Sequence, residues 1–173
     1  MSSFVTPSPF SDASFQAIDI DHALQFEHPA AQRGYALWCD MADGRDMPDR
    51  RDINPGRFAA DLRHLSLFNL SLVDGTLDSI SARVIGSEFE SIFGPLTDRP
   101  LDEALNPQVL ARWFGAANAV ITQGKALRAT GNVAHEDRQH VAFECVLAPM
   151  SDAHQKFAIL YVVSVFTVKP LAQ

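Results

Sequence analysis

The residues of this chain able to do chemistry are six histidines, two cysteines and a surplus of carboxylates. His135 and His140 flank the turn Glu136-Asp137-Arg138-Gln139. That spacing lets two imidazoles face each other across paired strands and, with Glu136 or Asp137, approach a metal. A structural zinc wants four closed ligands, so a polar hairpin tip with hydrated imidazoles is the default and no metal site is assigned. His22, His28, His64 and His154 fall in loops or at element ends. A Ser or Cys nucleophile needs a base beside it and a group that orients the base. Gly-x-Ser-x-Gly, a phosphate loop and the dinucleotide fingerprint are all absent, since Gly86-Ser87 is followed by Glu88-Phe89-Glu90. Glu144 could serve as the buried base of a small α+β enzyme. It alternates with Phe143 and Cys145, however, and strand period turns it outward into solvent. Cys39 and Cys145 make no Cys-x-x-Cys pair and are expected as buried thiols.

Binding is the other chemistry on offer. Phe89, Phe93, Trp113, Phe143 and Tyr161 could line a pocket where an apolar effector gains by leaving water, or could fill a solid core. Trp113 is the most informative, because a buried indole N–H needs a partner. Arg128 would meet an acidic effector if it turned inward; outward is its default. Leu37, Trp38 and Met41 form a face that is either a protein-binding surface or a packing seam, and packing is the default for any amphipathic helix.

These residues must be positioned by elements legible as patterns. Residues 1–27 mix Ser, Pro, Thr and unspaced Phe and read as an irregular arm, part of which docks through its aromatics. One domain is expected over 28–173. Its first helix starts at Pro29 and runs to Ala42, with Ala31, Tyr35, Trp38 and Ala42 on one stripe. Residues 43–52 alternate in charge and predict a solvated, internally paired loop, followed by a short helix from Pro55 to Leu62. Asp74-Gly75-Thr76 separates two strand-like runs, Leu65–Val73 and Leu77–Ile85, as in a hairpin.

Ser87 and Glu90 have capping-box spacing ahead of a brief helix that Gly94 stops. A small helical piece at Leu101–Leu105 precedes a longer helix capped by Asn106 and ended by Gly124, with Leu110, Trp113, Phe114, Ala117 and Ile121 on one face. Three strands complete the chain, near 126–134, 140–148 and 157–168. The last is apolar on both faces, Ile159, Tyr161 and Val163 against Leu160, Val162 and Phe166. It therefore needs cover on both sides. The central helices supply one cover; the N-terminal helix or a second subunit must supply the other.

Length and make-up agree with one domain: the chain has 173 residues, 47% of them hydrophobic, enough for a single ordinary core. A formal charge of −7 argues against nucleic acid and anionic membrane as partners. The longest apolar stretch, Phe157–Val163, is too short to span a bilayer. The first thirty-two residues hold no Lys or Arg and so lack the layout of a secretory signal, which leaves a cytoplasmic reading.

The succession of two strands, several short helices, one longer helix and three strands resembles the PAS family of sensory domains. It is more closely similar to a bacterial PAS subfamily through Trp38, Pro48, Arg51-Asp52-Ile53-Asn54-Pro55, Leu62 and Leu65. The resemblance continues through Arg83-Val84-Ile85-Gly86-Ser87-Glu88-Phe89, Phe93-Gly94 and Thr97-Asp98-Arg99-Pro100-Leu101. These motifs span residues 35–105; beyond them only the strand pattern matches.

The resemblance implies an α+β fold: a five-stranded antiparallel sheet, short helices between strands two and three, an extra N-terminal helix, and the last strand lying between the first and the fourth. Haem-binding relatives offer an axial His from the long helix, but residues 106–123 contain none. Blue-light flavin relatives carry a reactive Cys in Asn-Cys-Arg on the short helices, but residues 87–105 contain no Cys. Haem and flavin are thus disfavoured, and the cofactor is unknown. The family further implies a homodimer contact through flanking helices. The chain stops five residues past Val168, so the C-terminal linker helix of many relatives is not expected and output must leave elsewhere. The function read from this is a non-catalytic bacterial sensor or adaptor that binds a signalling partner, with an apolar effector. The alternatives are a ligand-free docking platform and a small α+β enzyme.

Overall fold

The computed structural model describes residues 19–133 and 141–168. The hairpin tip bearing His135 and His140 lies outside the described residues, as do residues 1–18 and 169–173. Among the described residues six strands form one antiparallel sheet: β1 (Asp19–Asp21), β2 (Leu65–Val73), β3 (Thr76–Val84), β4 (Leu127–Asn132), β5 (Val141–Met150) and β6 (Ile159–Val168). Their spatial order is β1-β4-β5-β6-β2-β3, which sets the last strand between the first long strand, β2, and β5. The sheet thus has one strand more than the sequence predicts. Asp19–Asp21 pairs with β4 along Thr130 to Arg128. Three residues are too few to show alternation, so this strand is invisible in the sequence of an otherwise irregular arm. Phe26, from the same arm, is buried in the core.

Among the described residues the α-helices are α1 (Pro29–Ala42), α2 (Ser87–Phe93), α3 (Leu101–Ala104) and α4 (Pro107–Gln123). Pro29 opens α1, and Asp43 closes it in the left-handed region, its N–H donating to the Cys39 carbonyl. Asn106 caps α4 by accepting from the Val109 N–H, and Gly124 ends it at φ 63°. The β2–β3 turn places both Asp74 and Gly75 at positive φ, the conformation a two-residue hairpin requires.

Other segments depart from expectation. Ser87 does not cap α2. Gly86 is the N-cap, and its N–H donates to Ser66 Oγ at 3.0 Å. A Cβ at Gly86 would stand 2.5 Å from the Arg63 carbonyl, so backbone crowding fixes this helix entry. The expected helix over 55–62 is instead two 3-10 turns, Pro55–Phe58 and Leu62–His64. The loop at 43–52 is paired internally, Arg45 with Asp52 at 2.7 Å and Arg51 with Asp49 at 3.1 Å. It is not simply solvated, because Met47 and Asp49 are buried and Asp49 bridges to Ser151. Cys39 is exposed, and only Cys145 is buried.

Strand β6 divides two cores. Leu160 and Val162 face α2, α3 and α4, with Phe68, Phe89, Leu101, Val120 and Leu147. Ile159, Tyr161 and Val163 face α1, with Ala31, Trp38, Met41 and Val146. The N-terminal helix of the same chain therefore covers the second face. Its approach is close: a Cβ on Gly34 would fall 2.6 Å from Val163. Tyr161 Oη donates to the Gly34 carbonyl at 2.8 Å, and Trp38 Nε1–H donates to the Pro149 carbonyl at 3.0 Å.

Candidate functional site

Under α4, where it crosses β4, β5 and β6, lies a cavity of about 40 Å³. Phe89 and Phe93 reach it from α2, Val109, Arg112, Trp113 and Ala116 from α4, and Phe143, Cys145 and Phe166 from the sheet. Four of the five residues proposed from sequence as a ligand-binding set, Phe89, Phe93, Trp113 and Phe143, are thus brought together. The rings sit at packing distances: Phe89 to Phe93 4.6 Å, Phe89 to Trp113 5.4 Å, and Phe68 to Trp113 5.2 Å between centroids.

Tyr161 is the exception. Phe143 pairs with Phe166 and Tyr161 with Ala148, so the register sends Tyr161 to the opposite face, beneath α1. The α1 triad divides as well. Trp38 and Met41 are buried against the sheet as a packing seam, whereas Leu37 is half-buried beside an outer groove it shares with Arg33, Asp40 and Arg57.

The lining is apolar apart from two groups. The Cys145 thiol hydrogen-bonds Ser164 Oγ at 3.4 Å, and burial pushes its pKa up to about 12, leaving it an inert thiol. The other is Arg112, which sequence reasoning missed. It lies on the buried side of α4 with Val109, Ala116, Ala117 and Val120. Its neighbours Leu110, Phe114 and Ile121, expected at the centre of the face, are only partly buried. The buried stripe is thus turned toward Arg112 and the small Ala116 and Ala117. The guanidinium donates from Nη1 to the Asn132 carbonyl, and burial draws its pKa below the ordinary arginine value. Among the described residues, no histidine or carboxylate lines this cavity.

A second cluster lies on the α1 face. Glu144 does point away from Phe143 and Cys145, as strand period demands, but that side is not solvent: the residue is only 3% exposed. Its carboxylate accepts the backbone N–H groups of Glu27 at 3.0 Å and His28 at 2.9 Å, and Arg128 Nε–H at 2.8 Å. Burial pushes its pKa up, but the three hydrogen bonds and the Arg128 charge together bring it below the usual value. Arg128, expected to point outward, instead lies largely buried on this face, with 14% of its side chain exposed, and is further flanked by Asp21 at 3.5 Å and Glu27 at 3.9 Å. A carboxylate at the start of α1 also complements the helix dipole. This cluster pins the flanking helix to the sheet.

His64, given no task from sequence, is buried. Its Nδ1 lies 3.0 Å from the Ser164 carbonyl and 3.1 Å from Glu88, joining α2 to β6. Among the described residues no group of His, Cys, Asp and Glu could hold a metal ion, and no helix is long and apolar enough to cross a membrane.

An antiparallel sheet with the last strand central, short helices and one longer helix over one face, and a flanking helix on the other define a sensory-domain architecture of the PAS type. A family model described as a PAS domain matches residues 26–163, and the chain belongs to that family. No curated protein and no solved structure matches the chain. PAS domains serve sensory and signalling roles, and they are in general non-catalytic.

Proposed function

We propose that this protein is a non-catalytic PAS-type sensor or adaptor that acts by binding a signalling partner, with a small effector entering the cavity beside Trp113. The observation that carries this reading is the cavity itself: a largely apolar space walled by five aromatic rings on α2, α4, β5 and β6, with neither a carboxylate nor an imidazole among its described lining residues. That lining disfavours general acid–base catalysis and suits burial of an apolar body. An effector shifts the protein only if it prefers one packing over another. Phe143 and Phe166 wall the cavity, and their immediate neighbours Glu144 and Val165 face α1. Displacement of the two rings is thereby felt at the helix that Glu144 anchors. Helix α1 is the mobile element, and its outer side around Leu37 is the surface offered to a partner or a second copy; Trp38 and Met41 support it from within.

Native mass spectrometry of freshly purified protein tests this reading. A co-purified small molecule supports sensing. A mass equal to the bare chain, together with no shift of Trp113 resonances on adding small ligands, overturns it in favour of a ligand-free docking platform. The small volume of the cavity is what favours that second reading.

A further inference from the structure

We propose that the N-terminal arm is exchangeable: β1 of one copy seats on β4 of a second copy of this chain, with Leu24 as the hinge, giving a dimer joined by reciprocal strands. The inference does not depend on the cavity beside Trp113.

The arm has a firm foot and a light tip. From Phe26 onward the chain is held to the domain. Phe26 is buried, its carbonyl accepts from Gln32 Nε2 at 2.8 Å, and the Glu27 and His28 N–H groups donate to Glu144. The tip is β1, paired Asp19 to Thr130, Ile20 to Ala129 and Asp21 to Arg128. Asp19 is exposed and Ile20 and Asp21 only half-buried, so this short strand opens at far lower cost than the domain unfolds. Its ion pair, Asp21 with Arg128 at 3.5 Å, is 42% exposed on the Asp21 side and adds little hold.

Between foot and tip lies Leu24, at φ 57°. Among the described residues the other non-glycine positions with positive φ are Asp43, Asp74 and Asp98, whose short polar side chains tolerate that region. A leucine does not. Strain in a short hinge favours swapping: extension returns Leu24 to ordinary backbone, while the strand regains on the second copy the contacts it gave up on its own. The seat identifies the occupant. The β4 edge already fits Asp19–Asp21, so the identical segment of a second copy meets the same partners, Ile20 against the core beneath α4 and Asp21 beside Arg128. Asp19 to Leu24 spans about 20 Å when extended, and Leu24 is three residues from the Asp21–Arg128 pair. Two β4 edges set side by side are therefore within reach of each other's arms.

The test uses the full chain. Isotope-labelled and unlabelled protein are mixed, incubated at high concentration and analysed by isotope-filtered NMR for contacts between Ile20 and Ala129 on different copies. Light scattering follows the mass from micromolar to near-millimolar protein. The expected result is a concentration-dependent dimer with Ile20–Ala129 contacts between copies. Leu24→Gly removes the strain from both closed hinges and should weaken dimerisation about tenfold or more. Leu24→Pro forbids positive φ and should strengthen it by about the same factor. Monomer at every concentration in both the unaltered and the Leu24→Pro chains overturns the proposal. So does a dimer whose Ile20–Ala129 contacts all lie within one copy, which would assign self-association to another surface and leave the sensor reading intact. The NMR arm uses the unaltered chain, so it stands even where a variant does not fold.

Discussion

Replacing Glu144 with alanine should loosen α1 before it loosens the sheet, and the size of the effect follows from the hydrogen bonds its carboxylate makes. The substitution orphans the N–H groups of Glu27 and His28, both only part-buried, and removes the closest partner of Arg128. Two part-buried donors cost about 1 kcal/mol each, at the low end for unsatisfied groups. Arg128 retains Asp21 and Glu27 at 3.5 and 3.9 Å, so the loss of its ion pair adds about 1–2 kcal/mol, less than a fully isolated buried charge would. The sum is about 3–4 kcal/mol, which in a domain of this length lowers the melting temperature by about 10 °C. Glu144→Gln keeps an acceptor and should cost about half as much. Thermal unfolding followed by tryptophan fluorescence gives the global number, and hydrogen exchange gives its location. Amides of residues 32–42 should exchange faster in the variant, by a larger factor than those of β5 and β6. A melting temperature within about 2 °C of the parent, with α1 amides exchanging as before, would refute the anchoring role.

The same carboxylate makes a pH prediction. Its pKa is depressed in the folded protein, so its contribution is complete above the ordinary glutamate range. It is lost as pH falls through the lower folded value, and the parent should lose stability in acid more steeply than Glu144→Gln. Gly34→Ala places a methyl 2.6 Å from Val163 Cγ2 and should destabilise by about 1–3 kcal/mol in urea titrations; a neutral result would mean that α1 rides further from the sheet. Asn106→Ala removes the α4 cap and should cost about 1 kcal/mol by the same measurement. With a thiol reagent at neutral pH, Cys39 should label rapidly and Cys145, buried with its pKa raised to about 12, only on unfolding; two fast-reacting thiols would contradict the packing beneath α4.

What the sequence disclosed depended on how local the determining physics was. The two-faced apolarity of β6, the Asn106 and Gly124 boundaries and the Asp74-Gly75 turn are each written in adjacent residues, and all hold in the structure. Tyr161 could not be assigned to the Phe143 face or away from it, because the choice depends on the β5–β6 register, and eight residues of connection leave that register open. Glu144 shows the same limit from the other side: its parity was legible, but the arm that covers it arrives from more than a hundred residues away. Arg112 was hidden because a charged residue beside Trp113 reads as the solvated edge of an amphipathic stripe. Only the burial of the small residues Ala116 and Ala117 on its side shows that the helix is turned.

The contact between Gly34 and Val163 limits how α1 can move. With no side chain between backbone and sheet, and the Gly34 carbonyl hooked by the Tyr161 hydroxyl, advancing the helix by one position would drive Arg33 or Tyr35 into the slot. Axial sliding and rotation are therefore blocked. Hinging away from the sheet avoids this clash, so the output proposed for α1 would have a seated and a raised setting with nothing between.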